Sequence, residues 1–409
     1  MELATTLKGQ TVQNQVREVG INPNHWYPVA WADQLKAGQV MPITVWQEAI
    51  ALYRNSAGEV FALEDACPHK GIELHKGEVV GNCLVCPYHG WEFNGEGQCV
   101  GIPYFPADQK LPRAQARSYP TQEKYGIVWL FPGDPQLASL QQLPEVPEYD
   151  DPNWMIMPIT GRFKAHFSIC NENTMDVFHG YLHKNLQGWF DPALLSLKET
   201  DDSVKAEYRV RYKGGLSKFL GLSTQKDGVT TRVVSIDYSY PHYHSTLEGV
   251  SSLYLMRLPV GPNETRSFSL LFLQVQLPKW LLDFAKPMVM PLIRNLLFMR
   301  FLEQDVGMME SEQRNYRQNP SRRYVEVNPA IIALQRLITR QYDQFVQQST
   351  SVQTGSIQTG SIQTGLIQTG SIQTGSIQTS PVQQSSPSLS HGDHHPRDEE
   401  LSTAHRAEA

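Results

Sequence analysis

The chain lacks the excess of basic residues and the apolar N-terminal run that are typical of several protein classes. Its 409 residues carry 35 lysines and arginines against 41 aspartates and glutamates, a formal net charge of -6. A nucleic-acid-binding surface needs a basic face, so nucleic acid is not an expected partner. The first residues, MELATTLKGQTVQNQVREVG, have no basic start followed by an apolar run, so we expect a cytoplasmic protein.

Cysteine is also scarce, with five residues in the whole chain. An odd number in a long chain without a secretory signal argues against a disulfide framework. The thiols are therefore expected to be reduced and available to bind metal. They are Cys67, Cys83, Cys86, Cys99 and Cys170.

Hydrophobic residues are plentiful enough, at 40% of the chain, to form two domains with separate cores. From about Trp26 to Pro132, short β-rich runs alternate with turn signals, which predicts a small antiparallel all-β domain. A proline-dotted stretch ending at Pro152 then interrupts the periodicity. We assign 1–25 to an N-terminal extension, 26–133 to the β domain, 134–348 to a second domain and 349–409 to a tail.

The second domain is predicted to be α+β. A helix candidate lies around Asn171 to Asn185 and a helical stretch runs from Trp280 to Arg317, with strand-like runs between them. Because helices and strands are segregated, an antiparallel sheet is favoured over a doubly wound parallel one. The strand-like runs are Val204–Tyr212, Val229–Tyr240, Ser252–Leu258 and Ser267–Gln276.

The tail contains six pentapeptides of the type Ser-Ile-Gln-Thr-Gly between Ser351 and Ser380. Each repeat has one or two aliphatic residues and nearly every one has a glycine, so little surface can be buried to offset the ordering entropy. We expect the tail to be disordered, with a short β-solenoid as the alternative.

Two short motifs each supply one thiolate and one imidazole, namely Cys67-Pro-His69 and Cys86-Pro-Tyr-His89. Ordinary zinc fingers group the cysteines first and the histidines afterwards. The four side chains can hold one zinc ion tetrahedrally, or two sulfide-bridged irons with the thiolates on one iron and the imidazoles on the other. Only the second arrangement explains the alternation.

The same stretch resembles the Rieske [2Fe-2S] motif in the form found in Rieske-type oxygenases, and the resemblance extends over about residues 26–132. It implies that Cys67, His69, Cys86 and His89 bind the cluster. Neutral imidazoles on the outer iron raise the reduction potential above that of an all-cysteine cluster. Such a cluster can accept electrons from a ferredoxin-like donor.

A second polar constellation lies in NENTMDVFHGYLHKN. If this segment is helical, Asp176, His179 and His183 share one face, with Asn173 one turn earlier. Two imidazoles and one carboxylate with open positions suit non-haem Fe(II). A solvated helix face with unrelated histidines is the alternative.

This segment resembles the mononuclear-iron motif of Rieske oxygenases, Asn/Glu-x-x-Asp-x-x-His-x-x-x-x-His, but three residues instead of four separate His179 from His183. The resemblance implies that both histidines bind iron and that the third ligand is an aspartate in a late helix. Asp305, in RFLEQDVGMMESEQRN, is the predicted ligand. The other carboxylates considered are Glu303, which is the runner-up, Glu310 and Glu312.

The resemblance also implies a role for Asp176 that is not coordination. In related oxygenases the equivalent aspartate joins a Rieske histidine of one subunit to an iron-binding histidine of its neighbour, within a ring-shaped trimer. Asp176 is therefore expected to accept hydrogen bonds from His89 of a neighbouring chain and from His179 or His183 of its own, and to couple the two metal sites.

Together the motifs imply the terminal oxygenase of a Rieske non-haem iron system with a helix-grip-like catalytic domain. Such an enzyme, a mono- or dioxygenase, uses O2 and electrons from a ferredoxin or flavin reductase. It would hydroxylate, demethylate or desaturate a hydrophobic, aromatic or chlorophyll-related substrate. The chain resembles the group of chlorophyllide a oxygenase, pheophorbide a oxygenase and vanillate demethylase. The alternative is a Rieske electron carrier with a non-catalytic second domain.

The apolar stretch from Trp280 to Leu302 is the one candidate for membrane contact. Charged residues and two prolines, Pro287 and Pro291, interrupt it, so a spanning helix is not expected. A buried helix over the active site is favoured, and peripheral contact with a membrane surface is the alternative.

Overall fold

A computed structural model of the chain describes residues 12–183, 189–213, 229–274, 294 and 299–360. The described residues up to Gly355 belong to one compact unit. The prediction of a disordered tail after residue 348 is wrong for its first residues, which continue the helix Pro329–Gly360. The rest of the repeat-containing tail lies after residue 360, outside the described part. Most of the apolar stretch that begins at Trp280 is likewise outside it. Among the described residues, no helix has the length and apolarity that crossing a membrane requires.

The N-terminal part consists of small antiparallel sheets. Its strands are β1 (Tyr27–Trp31), β2 (Val40–Val45), β3 (Glu48–Arg54), β4 (Val60–Glu64), β5 (Glu78–Val80), β6 (Cys83–Val85), β7 (Glu92–Phe93), β8 (Cys99–Gly101), β9 (Ser118–Tyr119), β10 (Thr121–Lys124) and β11 (Ile127–Leu130). They form sheets in the orders β1-β11-β10, β2-β3-β4-β9 and β5-β6-β7-β8. The first Cys-His motif lies between β4 and β5, and the second lies in the loop between β6 and β7. The predicted N-terminal all-β domain is confirmed.

The second part is built on one antiparallel sheet with the order β12-β18-β17-β16-β15-β14-β13. These strands are β12 (Trp154–Phe163), β13 (Trp189–Glu199), β14 (Ser203–Lys213), β15 (Val229–Ser239), β16 (His242–Leu247), β17 (Ser251–Gly261) and β18 (Glu264–Gln274). In β14, Val204, Ala206, Tyr208 and Val210 are buried and alternate with polar residues. This alternation is typical of an antiparallel sheet with one buried face. The α+β prediction is confirmed.

Within the described residues, the sheets are accompanied by the α-helices α1 (Val12–Gln15), α2 (Phe167–Met175), α3 (Met299–Gln318) and α4 (Pro329–Gly360). α2 packs against α3 and against β17 and β18. It begins at His166, whose ring accepts the N–H of Ser168 and caps the first turn. The N-terminal segment packs with these elements, since Val16 and Val19 are fully buried in the core.

The predicted helix from Asn171 to Asn185 is wrong beyond Met175, where α2 ends. Asp176 has an extended backbone, and its carboxylate accepts the N–H of Phe178 at 2.9 Å. A short polar side chain that bonds its own backbone in this way competes with helix formation. A 3-10 turn, Phe178–Tyr181, follows, so Asp176, His179 and His183 do not share one helix face.

The β2–β3 hairpin joins the all-β part to the second part. Its turn residues, Trp46 and Gln47, have φ angles of 44° and 71°, and their N–H groups donate to Pro259 and Val260 at 2.8 Å each. The Trp46 ring packs edge-on against His166, with the ring centroids 5.7 Å apart. The hairpin therefore ends directly beside the start of α2.

Candidate metal centres

The two Cys-His loops close in the same way. In each loop the cysteine N–H donates to the carbonyl five residues on, and the cysteine carbonyl accepts from a glycine N–H four residues on. The bonds join Cys67 N to Ile72 O (2.8 Å), Gly71 N to Cys67 O (2.7 Å), Cys86 N to Trp91 O (2.8 Å) and Gly90 N to Cys86 O (3.0 Å). The two cysteines therefore occupy equivalent positions.

Each loop needs its glycine. Gly71 and Gly90 have φ angles of +69° and +68°, a left-handed conformation that costs glycine little and most other residues more. A side chain at Gly90 would also meet Pro103, whose Cγ lies 2.7 Å from where a Cβ would stand. These positions let the short Cys-x-His and Cys-x-x-His spacings fold back on themselves.

The two thiols are buried at the base of the loops, with Cys67 2% and Cys86 3% exposed. Burial raises the pKa of the Cys67 thiol to about 11, and the Cys86 thiol beside it adds to the shift. The backbone N–H groups of His69 and Lys70 bond the Cys67 sulfur and oppose the rise, because they favour the thiolate. A buried thiol of this kind ionises readily only beside a cation, which cluster iron supplies.

The two imidazoles lie together on the outer side of the loops. The ring centroids of His69 and His89 are 4.7 Å apart, and the His69 ring stacks on Trp91 at 4.6 Å. His69 Nδ1 is buried and has no hydrogen-bond partner in the described part of the chain. A metal bond would satisfy such a nitrogen. Because His89 is exposed, the imidazole side is the side that a partner can reach.

The second centre brings together three side chains from distant parts of the chain. The ligand atoms of His179, His183 and Asp305 lie within 4.8 Å of one another. His183 Nε2 is 3.0 Å and His179 Nε2 is 3.7 Å from Asp305 Oδ1. The alternative carboxylate, Glu303, is exposed on the same helix and joins no such group among the described residues.

Two neighbours in α3 hold His183 in place. Its Nδ1 bonds Gln304 Oε1 at 2.9 Å, and its ring stacks on Phe301 with the centroids 3.6 Å apart. Burial lowers the pKa of His183, but the hydrogen bonds to Asp305 and Gln304 outweigh it and raise the pKa above its ordinary value. The neighbouring Asp305 carboxylate thus favours a proton on the ring. If Gln304 accepts from Nδ1–H, Nε2 is left to face a metal ion.

The turn between the histidines accounts for their short spacing. Leu182 N–H donates to the His179 carbonyl at 2.7 Å, and His183 N–H donates to the Gly180 carbonyl at 3.1 Å. This tight winding carries both rings to the same side, with their centroids 5.3 Å apart. His179 Nδ1, like His69 Nδ1, is buried without a hydrogen-bond partner in the described segments.

Asp176 lies beside the triad and outside it. Its carboxylate accepts from Phe178 N–H at 2.9 Å and from Asn328 Nδ2 at 3.3 Å. Within the described residues it makes no hydrogen bond to His179 or His183, because α2 ends before the turn that carries them. Asp176 and His179 instead line an open cavity of about 540 Å³. The coupling role of Asp176 stays a prediction.

Sequence reasoning missed four side chains that shape these centres. Trp91 stacks on a cluster histidine, Phe301 and Gln304 hold His183, and Asn328 holds Asp176. The only local signal was a position next to a predicted ligand or motif in the sequence, because Gln304 precedes Asp305 and Trp91 follows the second motif. Nothing in the local sequence indicates the contact from Asn328, which is 152 residues from Asp176.

Two family models match the chain, and together they cover both parts. The model of the Rieske [2Fe-2S] domain matches residues 25–120. The model of the vanillate O-demethylase oxygenase C-terminal domain matches residues 163–343. Residues 121–162 lie between the two matched ranges.

Among curated proteins, the 4beta-methylsterol monooxygenase of Methylococcus capsulatus is 35% identical over 342 residues, which is 82% of this chain and 92% of that protein. The oxygenase component of dicamba O-demethylase from Stenotrophomonas maltophilia is 35% identical over 39% of this chain and 47% of its own length. Chlorophyllide a oxygenase of Oryza sativa is 33% identical over 40% of this chain and 27% of its own length.

Solved structures have the same fold. The crystal structure of dicamba monooxygenase bound to 3,6-dichlorosalicylic acid superposes with a TM-score of 0.68 and 22% identity over 79% of this chain and 98% of that one. NdmB of Pseudomonas putida CBB5 superposes with a TM-score of 0.59 and 19% identity over 81% and 94% of the two chains.

Proposed function

This chain belongs to the Rieske non-haem iron oxygenases, and from that premise we propose that it oxidises a hydrophobic polycyclic substrate of the sterol class at the centre formed by His179, His183 and Asp305. One observation carries the proposal above all: these side chains converge, although the second histidine and the aspartate are 122 residues apart. An electron carrier would need no such site. The reaction is a hydroxylation, demethylation or desaturation that uses O2.

The ligand assignment follows the donor chemistry of each centre. Cys67 and Cys86 bind one iron of the cluster as thiolates, and His69 and His89 bind the other. His179, His183 and Asp305 form the two-histidine, one-carboxylate set that leaves positions open on Fe(II). When bound, these groups supply one-electron transfer and activation of O2. The unpartnered Nδ1 of His69 supports the first assignment. The approach of His179 Nε2 and His183 Nε2 to Asp305 Oδ1 supports the second.

Other residues position these ligands and connect the two centres. Gln304 and Phe301 fix the His183 ring, so that Nε2 faces Asp305. Asp176 would accept a hydrogen bond from the exposed His89 of a neighbouring chain in a homotrimer, and would so couple that chain's cluster to the iron site of its own chain. Its position on the wall of an open cavity with His179 supports access by such a partner. A ferredoxin or a flavin reductase supplies the electrons.

Two observations support a sterol-like substrate. The similarity to the sterol monooxygenase extends over 82% of the chain and so includes most of the second domain, whereas the dicamba and chlorophyllide relatives align over 39% and 40%. An apolar cluster of Met157, Ile159, Leu271 and their neighbours also extends to Leu302, one helical turn before Asp305. Apolar packing next to the proposed iron site favours a hydrocarbon substrate over a carboxylated aromatic ring.

The test is substrate-dependent oxygen consumption by the purified protein with a reductase, a ferredoxin and NADH. The panel contains a 4-methylsterol, cholesterol, vanillate, dicamba and chlorophyllide a, with products identified by mass spectrometry. Oxidation of a sterol, lost in Asp305→Ala, is expected. Turnover of vanillate or dicamba with no sterol product would overturn the substrate assignment. Metal analysis that finds about two irons per chain instead of about three would favour the carrier.

A further inference from the structure

Arg17, in the N-terminal segment after α1, is buried between α2 and α3 with 2% of its side chain exposed. Its guanidinium makes a two-pronged contact with Glu172, with Nη1–Oε1 at 2.5 Å and Nη2–Oε2 at 2.7 Å. Nη2 also donates to Glu312 Oε1 at 2.7 Å. The two carboxylates belong to different helices, so this one guanidinium joins α2 to α3.

The same two helices lead to the proposed iron ligands, since Asp305 lies in α3 and His179 and His183 follow the end of α2. Glu172 lies in the last turn of α2, which leads directly into the segment with both histidines. Glu312 lies seven residues after Asp305 in α3, two helical turns along the same side. Asn173, adjacent to Glu172, donates to Asp305 Oδ1 at 3.4 Å. The separation of α2 and α3 therefore sets the distance between the histidines and Asp305.

We propose that Arg17 is a positioning residue for the mononuclear iron site. By holding Glu172 and Glu312 it fixes the separation of α2 and α3, and with it the distance of Asp305 from His179 and His183. This inference rests on the ligand set of the proposed function. It assigns the N-terminal segment a part in iron binding, although no residue of that segment touches the iron ligands in the described structure.

The position of the guanidinium is itself fixed from the other side. Arg17 Nη1 donates to Ser168 Oγ at 2.7 Å, and Ser168 Oγ lies 2.7 Å from His166 Nδ1. His166 Nε2 is 3.1 Å from the Val19 carbonyl, which returns the chain of bonds to the N-terminal segment. A guanidinium that is hydrogen-bonded on both sides fixes the positions of the carboxylates it binds, whereas a mobile surface arginine would supply charge alone.

Loss of Arg17 would leave the carboxylates of Glu172 and Glu312 facing each other. Glu172 is 6% exposed, so its charge would have little water to replace the lost partner. Two like charges at this range repel, and the repulsion acts directly across the gap between α2 and α3. The expected result is displacement of Asp305 from the histidines.

The experiment measures Fe(II) binding by protein whose mononuclear iron has been removed by a chelator and whose Rieske spectrum is intact. Arg17→Met is expected to raise the Kd for Fe(II) by about tenfold or more, in line with the loss of a residue that orients metal ligands. Arg17→Lys keeps the charge but loses the fork, so about a threefold rise is expected. Thermal unfolding and cluster absorbance are recorded for every variant.

Arg54→Met is the matched control. Arg54 is also largely buried, at 13% side-chain exposure, and holds Glu123 and three carbonyls in the all-β part. It is expected to lower the Tm while leaving the Kd for Fe(II) unchanged. Equal weakening of iron binding in the Arg17 and Arg54 variants would overturn the proposal, since it would reduce Arg17 to a general stabilising role.

A double-mutant cycle adds a second criterion. Because Arg17 and Glu172 act as one unit, Arg17→Met with Glu172→Gln is expected to bind Fe(II) no more weakly than Arg17→Met alone. Additive losses, or parental affinity in folded Arg17→Met, contradict the proposal. If Arg17→Met does not fold, Arg17→Lys is the deciding variant, and parental Fe(II) affinity in Arg17→Lys contradicts the proposal. Asp305→Ala is measured in parallel, and its retention of iron would instead refute the ligand set.

Discussion

Asp305 Oδ1 lies 3.0 Å from His183 Nε2, although 122 residues separate the two in the chain. His183 is 1% exposed and Asp305 is 6% exposed, so neither group can satisfy its polarity with solvent. A metal cation could bind the carboxylate oxygen of Asp305 and the ring nitrogen of His183 together, because both atoms are metal ligands and lie close to each other. The pair supports Asp305, rather than another late carboxylate, as the proposed iron ligand.

Asp305→Ala is expected to abolish binding of the mononuclear iron and all turnover, while the [2Fe-2S] spectrum remains. The reason is that one of three protein ligands is removed and the cluster lies on separate loops. Iron analysis with visible absorbance checks this. Glu303→Ala, on the exposed side of α3, is the control and is expected to keep both metals.

Asp176→Asn is expected to keep both metals and the oligomer but to lose most of its turnover. The neutral amide can no longer accept hydrogen bonds as a carboxylate from two imidazoles, so electron transfer between the centres slows. In stopped-flow measurements the cluster should be reduced by its donor at the normal rate and reoxidised slowly under O2 and substrate. Rapid reoxidation would refute the bridging role.

A different outcome for Asp176→Asn is informative in another way. Loss of the mononuclear iron would make Asp176 a ligand. Asn328→Ala is the companion variant, because Asn328 donates to the Asp176 carboxylate and does not touch the triad in the described structure. It is expected to reduce the reoxidation rate by less than Asp176→Asn and to leave the iron content unchanged.

His89→Cys is expected to lower the reduction potential of the cluster and to change its spectrum. A charged thiolate would replace a neutral imidazole on the outer iron, and negative charge disfavours the reduced state. Redox titration followed by electron paramagnetic resonance measures both effects. Stoichiometric zinc without acid-labile sulfide in the parent protein would refute the cluster assignment.

Acid should destabilise the protein through His166. Burial and the Arg17 charge lower the pKa of His166 to about 3, from an ordinary value of 6.5. Below pH 6.5 the unfolded chain therefore binds a proton that the folded chain does not, so stability falls as the pH drops from 6.5 towards 3. The expected contribution is about 1.4 kcal/mol per pH unit in that window.

The check compares denaturant unfolding at pH 7.0 and 5.5 in the parent and in His166→Asn. Asparagine retains the capping function at the start of α2 but does not titrate. The variant is expected to be less stable at neutral pH, yet to lose less stability on acidification. An identical pH dependence in the two proteins would show that His166 is not the responsible group.

The proposed cluster ligands were easier to predict from the sequence than the proposed iron ligands, because the two sets differ in how far apart their members lie along the chain. Cys67 with His69, and Cys86 with His89, each belong to one short loop, so spacing alone carries the information. Asp305 is positioned by the packing of α3 against α2, which no local pattern records. Its prediction needed the resemblance to a known family.

The secondary-structure errors have specific causes. The end of α2 at Met175 depends on whether the Asp176 carboxylate takes the N–H of Phe178, which composition does not decide. β12 and β13 were not identified, and each contains a proline, Pro158 and Pro192, which argues against a strand in general. Both strands are edges of the seven-stranded sheet, where a missing N–H is tolerated.

The left-handed turn at Trp46 and Gln47 affects whether the Rieske domain of this chain can be replaced by that of a relative. Asparagine and glycine fit such a turn better, so the hairpin in isolation would be improved by replacing this tryptophan. The strain persists because Trp46 packs against His166, the residue that begins the helix leading to the iron histidines. A chimera that takes its Rieske domain from a relative without this aromatic contact would therefore inherit a functional cluster and a loosened catalytic helix. The all-β part of this chain therefore supports the start of α2 as well as the Cys-His loops.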